Sequence, residues 1–120
     1  MHRFVLGAAL VLGACTQTDN NRPATIEYIT EAILQPSCAQ YDCHSSFRRE
    51  GYHGSSYTFD TIDDSRKSLQ MIVQPGDVEA SFLVQVLTRK VRRMPYDAPL
   101  PSKDLDLIKL WIEDGAPGLQ

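Results

Sequence analysis

Residues 38–44 read CAQYDCH, and this stretch decides how the rest of the chain is interpreted. Four residues separate the two cysteines, and His44 follows the second cysteine directly. On an ideal helix, residues i and i+5 lie about 140° apart around the axis, so two thiols at this spacing do not share a helical face. We therefore expect residues 38–43 to bulge out of any helix that reaches Cys38.

Three kinds of site use such a segment. A cysteine pair that ends in Cys-His attaches c-type haem, because the thiols add to the vinyl groups and the adjacent histidine ligates the iron. A disulfide between Cys38 and Cys43 suits an oxidising compartment. A zinc site would use both cysteines with His44 and His53, although eight residues separate these histidines. The spacing leaves all three open, and His44 favours haem because a disulfide does not need it.

A low-spin haem needs a second axial ligand, and a methionine thioether in this position raises the reduction potential. Met94 follows His44 by fifty residues and lies in a proline-rich segment whose stiff backbone can present the sulfur. Met71 is a competitor, but its helical spacing is more typical of core packing. His53, which has glycines close by, is the candidate for a bis-histidine site.

Apolar residues recur at helical spacing in four segments, and no pair of segments has a hairpin signature. The predicted helices are residues 26–35, ended by Pro36; 63–74, ended by Pro75; 77–87, with Asp77 as N-cap; and 102–114, with Ser102 as N-cap and Gly115 as the stop. Long loops over residues 41–60 and 88–101 separate them. The pattern predicts an all-α protein of about four helices, with Trp111 on the apolar stripe of the last helix.

The N-terminal residues have the order of an export signal. A basic start precedes an apolar run, and residues 12–15 read LGAC. This segment resembles the lipobox of bacterial lipoproteins, which implies that residues 1–14 are removed and that Cys15 carries lipid. Residues 15–25 would then be a flexible tether and residues 26–120 the domain. An ordinary secretory signal that leaves Cys15 as a thiol is the alternative. Thr16, in place of aspartate, favours the outer membrane.

The overall charge argues against nucleic-acid binding. A length of 120 residues allows one small domain. The 12 Lys+Arg and 15 Asp+Glu give a net charge of -3, with no basic stripe for phosphates. One loop differs, because four cations are crowded beside Met94. They are Arg89, Lys90, Arg92 and Arg93. These cations are predicted either to dock an acidic redox partner or to form ion pairs with the haem propionates. The alternative is that they belong to a solvated loop with no binding role.

Six short motifs together resemble the cytochrome-c-like domains of exported bacterial lipoproteins, and their order along the chain matches too. They are ILQPSC (33–38), CH (43–44), VQPGD (73–77), EAS (79–81), MP (94–95) and LWIEDGAP (110–117). The resemblance implies a class I cytochrome c fold whose first and last helices cross beside one haem. It also implies that Cys38 and Cys43 hold haem c covalently, with His44 as the proximal and Met94 as the distal iron ligand.

By this resemblance, the chain is expected to be a lipid-anchored monohaem c-type cytochrome at the cell envelope, facing the periplasm or the exterior. It would carry single electrons and would not be an enzyme, because peroxidase-like chemistry needs an open iron position in place of Met94. The second hypothesis is a haem-free lipoprotein of the same fold. In that case a Cys38–Cys43 disulfide would close the segment, and the protein would act as a binding or scaffold module.

Overall fold

The computed structural model describes residues 20–49 and 56–120. Within these ranges the chain is helical, without strands, and residues 74 and 77 form an isolated bridge. The helices are α1 (Ile26–Ile29), a π-helical turn (Thr30–Leu34), α2 (Gln35–Cys38), α3 (Ser46–Arg49), α4 (Ile62–Ile72), α5 (Phe82–Thr88) and α6 (Ser102–Glu113). The predicted all-α class is confirmed for this part of the chain. The predicted signal over residues 1–14, the lipidation site Cys15, Thr16 and His53 lie outside the described residues.

None of the helices in the described ranges has the length and apolar character needed to cross a bilayer.

The first three helical segments form one continuous helix over residues 26–38, so the prediction that Pro36 stops this helix is wrong. The π turn explains why. The Gln35 amide donates to the Thr30 carbonyl, five residues back. The hydrogen-bond register of the helix therefore shifts by one residue immediately before the proline. Pro36 then lies in the first turn of α2, where a missing N–H costs nothing. The helix therefore continues to Cys38.

The predicted second helix is confirmed as α4, although it ends at Ile72 rather than beside Pro75. Thr61 is its N-cap, and the Thr61 hydroxyl accepts a hydrogen bond from the Asp64 amide at 3.1 Å. Its buried face carries Leu69 and Ile72. Met71 is 59% exposed, so the expectation that it packs in the core is wrong. It lies on the solvent side of this amphipathic helix.

The predicted third helix is shorter than expected, because α5 begins at Phe82 with Ser81 at the N-cap. Asp77 does accept from a backbone amide, that of Ala80 at 2.9 Å, but this bond closes a separate turn. The Ser81 hydroxyl accepts from the Gln74 amide at 2.9 Å and donates to the Asp77 carbonyl at 2.7 Å. These bonds hold residues 74–81 as a folded turn, so Asp77 does not cap a helix.

The last helix is confirmed as α6, but its predicted N-cap is wrong. Pro101 occupies the cap position and Ser102 is the first helical residue, with no side-chain capping bond. The Pro101 carbonyl accepts from the amides of Asp104 and Leu105. Proline favours the extended conformation that a cap residue needs, and its own missing N–H is irrelevant there.

The apolar residues of the long helices pack into one core together with the C-terminal tail. Trp111 is fully buried, as predicted, and its Nε1 donates to the Pro117 carbonyl at 3.0 Å. Gly115, with a φ of +90°, stands just beyond the end of α6 as expected. At Gly118, a Cβ would lie 3.0 Å from Ile26 Cγ2, so only glycine lets the tail approach α1 this closely.

Residues just before α1 are attached to the start of α6. The Asn20 side-chain amide donates to the Lys103 carbonyl at 2.7 Å. Arg22 forms an ion pair with Asp104 at 2.6 Å. Part of the predicted tether, from Asn20 onward, therefore lies against the domain.

Candidate functional site

Four candidate site residues from distant parts of the sequence line a single cavity of about 830 Å³. They are Cys38, Cys43, His44 and Met94. The remaining lining residues are Pro36, Ser37, Gln40, Asp42, Pro95, Tyr96, Asp97, Ala98, Pro99, Leu100 and Pro101. A volume of roughly 300–1,000 Å³ is typical of small-molecule and cofactor sites. The cavity therefore has the size of such a site, and its wall combines two thiols, an imidazole and a thioether with a mainly apolar proline-rich segment.

The backbone of residues 38–44 leaves the helix immediately after Cys38, so the expected bulge is confirmed. The Cys43 amide donates to the Gln40 carbonyl at 2.8 Å, which closes a turn. The His44 amide donates to the Cys38 carbonyl at 2.9 Å, which closes the whole loop. Because of this loop, both cysteines reach the same cavity although an ideal helix would point them apart.

The two thiols have different surroundings. Cys38 is half-buried against the apolar core, whereas Cys43 is exposed. Burial and, to a smaller extent, the charge of the neighbouring Cys43 together raise the pKa of Cys38 to about 12. Both thiols are free, so the disulfide of the second hypothesis is not formed in this structure.

The His44 ring is oriented by a backbone group. Its Nδ1 lies 3.1 Å from the Tyr57 carbonyl oxygen. Because a carbonyl oxygen only accepts hydrogen bonds, Nδ1 carries the proton of the neutral ring and Nε2 carries the lone pair. The edge of the ring also contacts Phe59, with the ring centroids 5.6 Å apart. This arrangement is the usual one for a metal-ligating histidine, whose second nitrogen is held by an outer hydrogen bond.

Sequence reasoning missed two residues that support this ring, Tyr57 and Ser68. Tyr57 contributes a backbone carbonyl, which any residue type would supply. Ser68 is a buried hydroxyl on α4 that bonds to both backbone polar groups of Thr58. Neither residue has a sequence signal, because each acts through a long-range contact. The hint is that the buried face of α4 carries two serines, Ser65 and Ser68, beside Leu69 and Ile72.

Met94 reaches the cavity from the loop after α5. It is half-buried and packs against the core. Its amide donates to the Val86 carbonyl at 2.9 Å, which ties the loop to α5, and its peptide bond to Pro95 is cis. Met71 does not line the cavity. Of the two methionines weighed as ligands, Met94 is therefore the one that lines the same cavity as His44.

The basic loop before Met94 exposes three of its four cations: Arg89, Lys90 and Arg92. Arg89 Nε donates to the Arg92 carbonyl at 2.7 Å, and Arg92 has a φ of +55°. Within the described residues, no carboxylate forms an ion pair with these side chains. Arg93 differs, because it is half-buried and its Nε has no acceptor in the described part of the chain.

The described ranges contain no group of three or more His, Cys, Asp and Glu side chains arranged to hold a metal ion. The predicted zinc site included His53, which lies outside these ranges. The zinc alternative therefore stays a prediction. The ligands that the structure does bring together are the two cysteines and His44 beside the thioether of Met94.

Comparison with known proteins identifies no relative of this chain. No family model, no curated protein and no solved structure matches the chain. The site is interpreted from its own residues.

Proposed function

We propose that this protein is a monohaem c-type cytochrome of the class I fold, which carries single electrons. The observation that carries the proposal is the cavity, because Cys38, Cys43, His44 and Met94 all line it. Haem c, when bound, supplies an iron that alternates between ferric and ferrous states. Two thiols, an imidazole with a protonated Nδ1 and a thioether match the groups that this cofactor needs.

Each residue has a distinct part in the proposal. Cys38 and Cys43 would hold the haem covalently, each by addition of its S–H across one vinyl group to give a thioether. His44, through its Nε2, and Met94, through its sulfur, would hold the iron. The prolines and Leu100 line the loop side of the cavity and would limit the access of water to the haem. Because His44 and Met94 would both hold the iron, the proposed role is electron transfer and not peroxidase chemistry.

The test is an absorption spectrum of the full chain, exported into a periplasm that is equipped for cytochrome c maturation. We expect a reduced haem spectrum with dithionite, and we expect the haem to stay with the protein after denaturation and acid-acetone extraction. The matched control is the Cys38→Ala/Cys43→Ala double variant, whose haem should be extracted.

A folded, colourless wild-type product would contradict the proposal. If that product also had no free thiols, Cys38 and Cys43 would be a structural disulfide, and the haem-free binding or scaffold module would become the working function. Counting thiols under denaturing conditions distinguishes these two results.

We also propose a lipid anchor at Cys15, in which residues 1–14 are removed and the lipid holds the domain at the cell envelope. The lipobox-like residues 12–15 support this proposal. The test is Cys15→Ser, which should move the haem protein from the membrane fraction to the soluble fraction. Retention of the variant in the membrane fraction would argue against the anchor.

The exposed cations Arg89, Lys90 and Arg92 are proposed to dock an acidic redox protein. Their exposure, the absence of ion pairs with described residues and their closeness in sequence to Met94 support this role. Val91 and Tyr96, each 74% exposed, add apolar surface of the kind that stabilises protein interfaces. Arg93 is proposed to pair with a haem propionate instead, because its Nε has no hydrogen-bond partner among the described residues.

A further inference from the structure

A buried hydroxyl on α4 holds the segment that contacts the His44 ring. Ser68 is 2% exposed, and its Oγ accepts a hydrogen bond from the Thr58 amide at 2.9 Å. The same Oγ donates to the Thr58 carbonyl at 2.8 Å. Thr58 is itself 1% exposed. One side chain therefore satisfies both polar backbone groups of a residue that is removed from solvent.

The residues on both sides of Thr58 bond to His44. The Tyr57 carbonyl accepts from the His44 Nδ1 at 3.1 Å. The Phe59 amide donates to the His44 carbonyl at 3.0 Å. Residues 57–59 thus connect Ser68 on one side to the ring and the backbone of His44 on the other.

We infer that Ser68 is a positioning residue for His44: its hydroxyl holds residues 57–59 so that the Tyr57 carbonyl keeps the imidazole in its Nδ1–H tautomer. The inference rests on the proposed function, in which the Nε2 of His44 ligates iron. Removing the Ser68 hydroxyl leaves a buried N–H and a buried carbonyl without their partner, which is costly. The segment must then shift to satisfy them, and the Tyr57 carbonyl shifts with it.

The chain offers a matched control one turn earlier on the same helix. Ser65 is fully buried, and its Oγ has no hydrogen-bond partner among the described residues. Ser65→Ala therefore removes a hydroxyl of equal burial without breaking a hydrogen bond. Ser68→Thr is the conservative variant, because it keeps the hydroxyl at the same position.

The first readout does not need haem. Nitrogen-15 NMR of the His44 imidazole in the haem-free full chain should report the Nδ1–H tautomer in the wild type and a mixture of tautomers in Ser68→Ala. Hydrogen exchange at the Thr58 amide should become about tenfold faster in Ser68→Ala, as expected for the loss of one neutral hydrogen bond. Ser65→Ala and Ser68→Thr should keep the wild-type tautomer.

The second readout is the reduction potential of the haem-loaded full chain. A hydrogen bond from Nδ1–H makes the imidazole a better electron donor and so favours oxidised iron. The potential should therefore rise in Ser68→Ala and stay at the wild-type value in Ser65→Ala.

The inference is overturned if Ser68→Ala lowers the unfolding stability but keeps the wild-type tautomer and potential, because Ser68 would then be structural only. If Ser68→Ala does not fold, hydrogen exchange in the wild type decides. Exchange rates of the Thr58 and Phe59 amides that match those of the α4 amides would support the inference. A Thr58 amide that exchanges as fast as the amides of an exposed loop would overturn it. If no haem is bound but the tautomer still depends on Ser68, the proposed function fails and the positioning role stands.

Discussion

The Nδ1 atom of His44 lies 3.1 Å from the carbonyl oxygen of Tyr57, thirteen residues later in the chain. In the neutral ring this contact places the proton on Nδ1, because the carbonyl oxygen needs a donor. It leaves the lone pair on Nε2, the nitrogen that a proximal histidine uses. A backbone carbonyl therefore orients the imidazole in the candidate site.

Met94→Ala should lower the reduction potential of the haem-loaded protein and change its ferric spectrum, because a thioether ligand raises the potential. Met71→Ala is the matched control, since Met71 is exposed and does not line the cavity. The measurement is a redox titration followed by absorption spectroscopy. Met94 would not be the ligand if its variant behaved like the Met71 variant.

In the haem-free protein, Cys43 should be alkylated before Cys38. Cys43 is exposed, whereas Cys38 is half-buried and burial raises its pKa to about 12, so little of its reactive thiolate exists at neutral pH. With iodoacetamide at about pH 8, we expect a rate difference of at least roughly tenfold, measured by mass spectrometry of the labelled peptides. Equal rates under native conditions would contradict the burial of Cys38. Equal rates are expected only after denaturation.

The haem-free protein should lose stability in alkaline solution through Cys38. Its pKa is raised from the ordinary 9.0 to about 12 on folding, so its contribution is complete below pH 9 and is lost as the pH rises toward 12. The slope from one such group is at most about 1.4 kcal/mol per pH unit. Urea unfolding between pH 8 and 10.5 should show this loss in the wild type but not in Cys38→Ala.

Cys43→Ala is the control for this pH dependence. Burial is the largest cause of the raised pKa of Cys38 and the charge of Cys43 is the smaller one, so this variant should keep most of the wild-type slope. An identical slope in the wild type and in Cys38→Ala would assign the alkaline loss to other groups.

Reversing two charges of the basic loop should slow electron transfer to an acidic protein. We compare Lys90→Glu/Arg92→Glu with Lys67→Glu/Lys109→Glu, which changes the net charge equally on α4 and α6. With an acidic blue-copper protein as the probe, the first pair should reduce the second-order rate constant by about tenfold or more at low ionic strength. The difference should shrink at high salt.

Equal rates for the two double variants would exclude docking at this loop. A reduced affinity for vesicles of phosphatidylglycerol, with unchanged electron transfer, would assign the loop to the membrane surface instead. Binding of the haem-free protein to the blue-copper protein, measured by calorimetry, separates a docking failure from a lack of haem.

Trp111→Ala should lower the free energy of unfolding by about 3–5 kcal/mol, because it removes the largest fully buried side chain and leaves a cavity. The adjacent Leu110 is 42% exposed, so Leu110→Ala should cost less than about 1 kcal/mol. The measurement is urea unfolding followed by far-ultraviolet circular dichroism. Similar losses in both variants would contradict the burial of Trp111.

Local patterns predicted the helical class and singled out four residues that line the cavity: Cys38, Cys43, His44 and Met94. Apolar spacing located α4 and α6, because burial selects a face that repeats every 3.6 residues. The i, i+5 geometry of Cys38 and Cys43 required a bulge, and the chain leaves the helix there. The residue types of the site were recognisable because thiol, imidazole and thioether side chains carry specific chemistry.

The tertiary structure decided where the helices begin and end and which backbone groups orient the side chains of the site. Pro36 is accommodated by the π turn before it, and Asp77 closes a turn because Ser81 bonds to Gln74 and to Asp77 itself. These outcomes depend on which hydrogen-bond partner is nearest in three dimensions. The same is true of Tyr57, whose carbonyl has no residue-type signature and reaches His44 only after the chain has folded. Sequence thus determined the chemistry that is available, and long-range backbone hydrogen bonds determined its orientation.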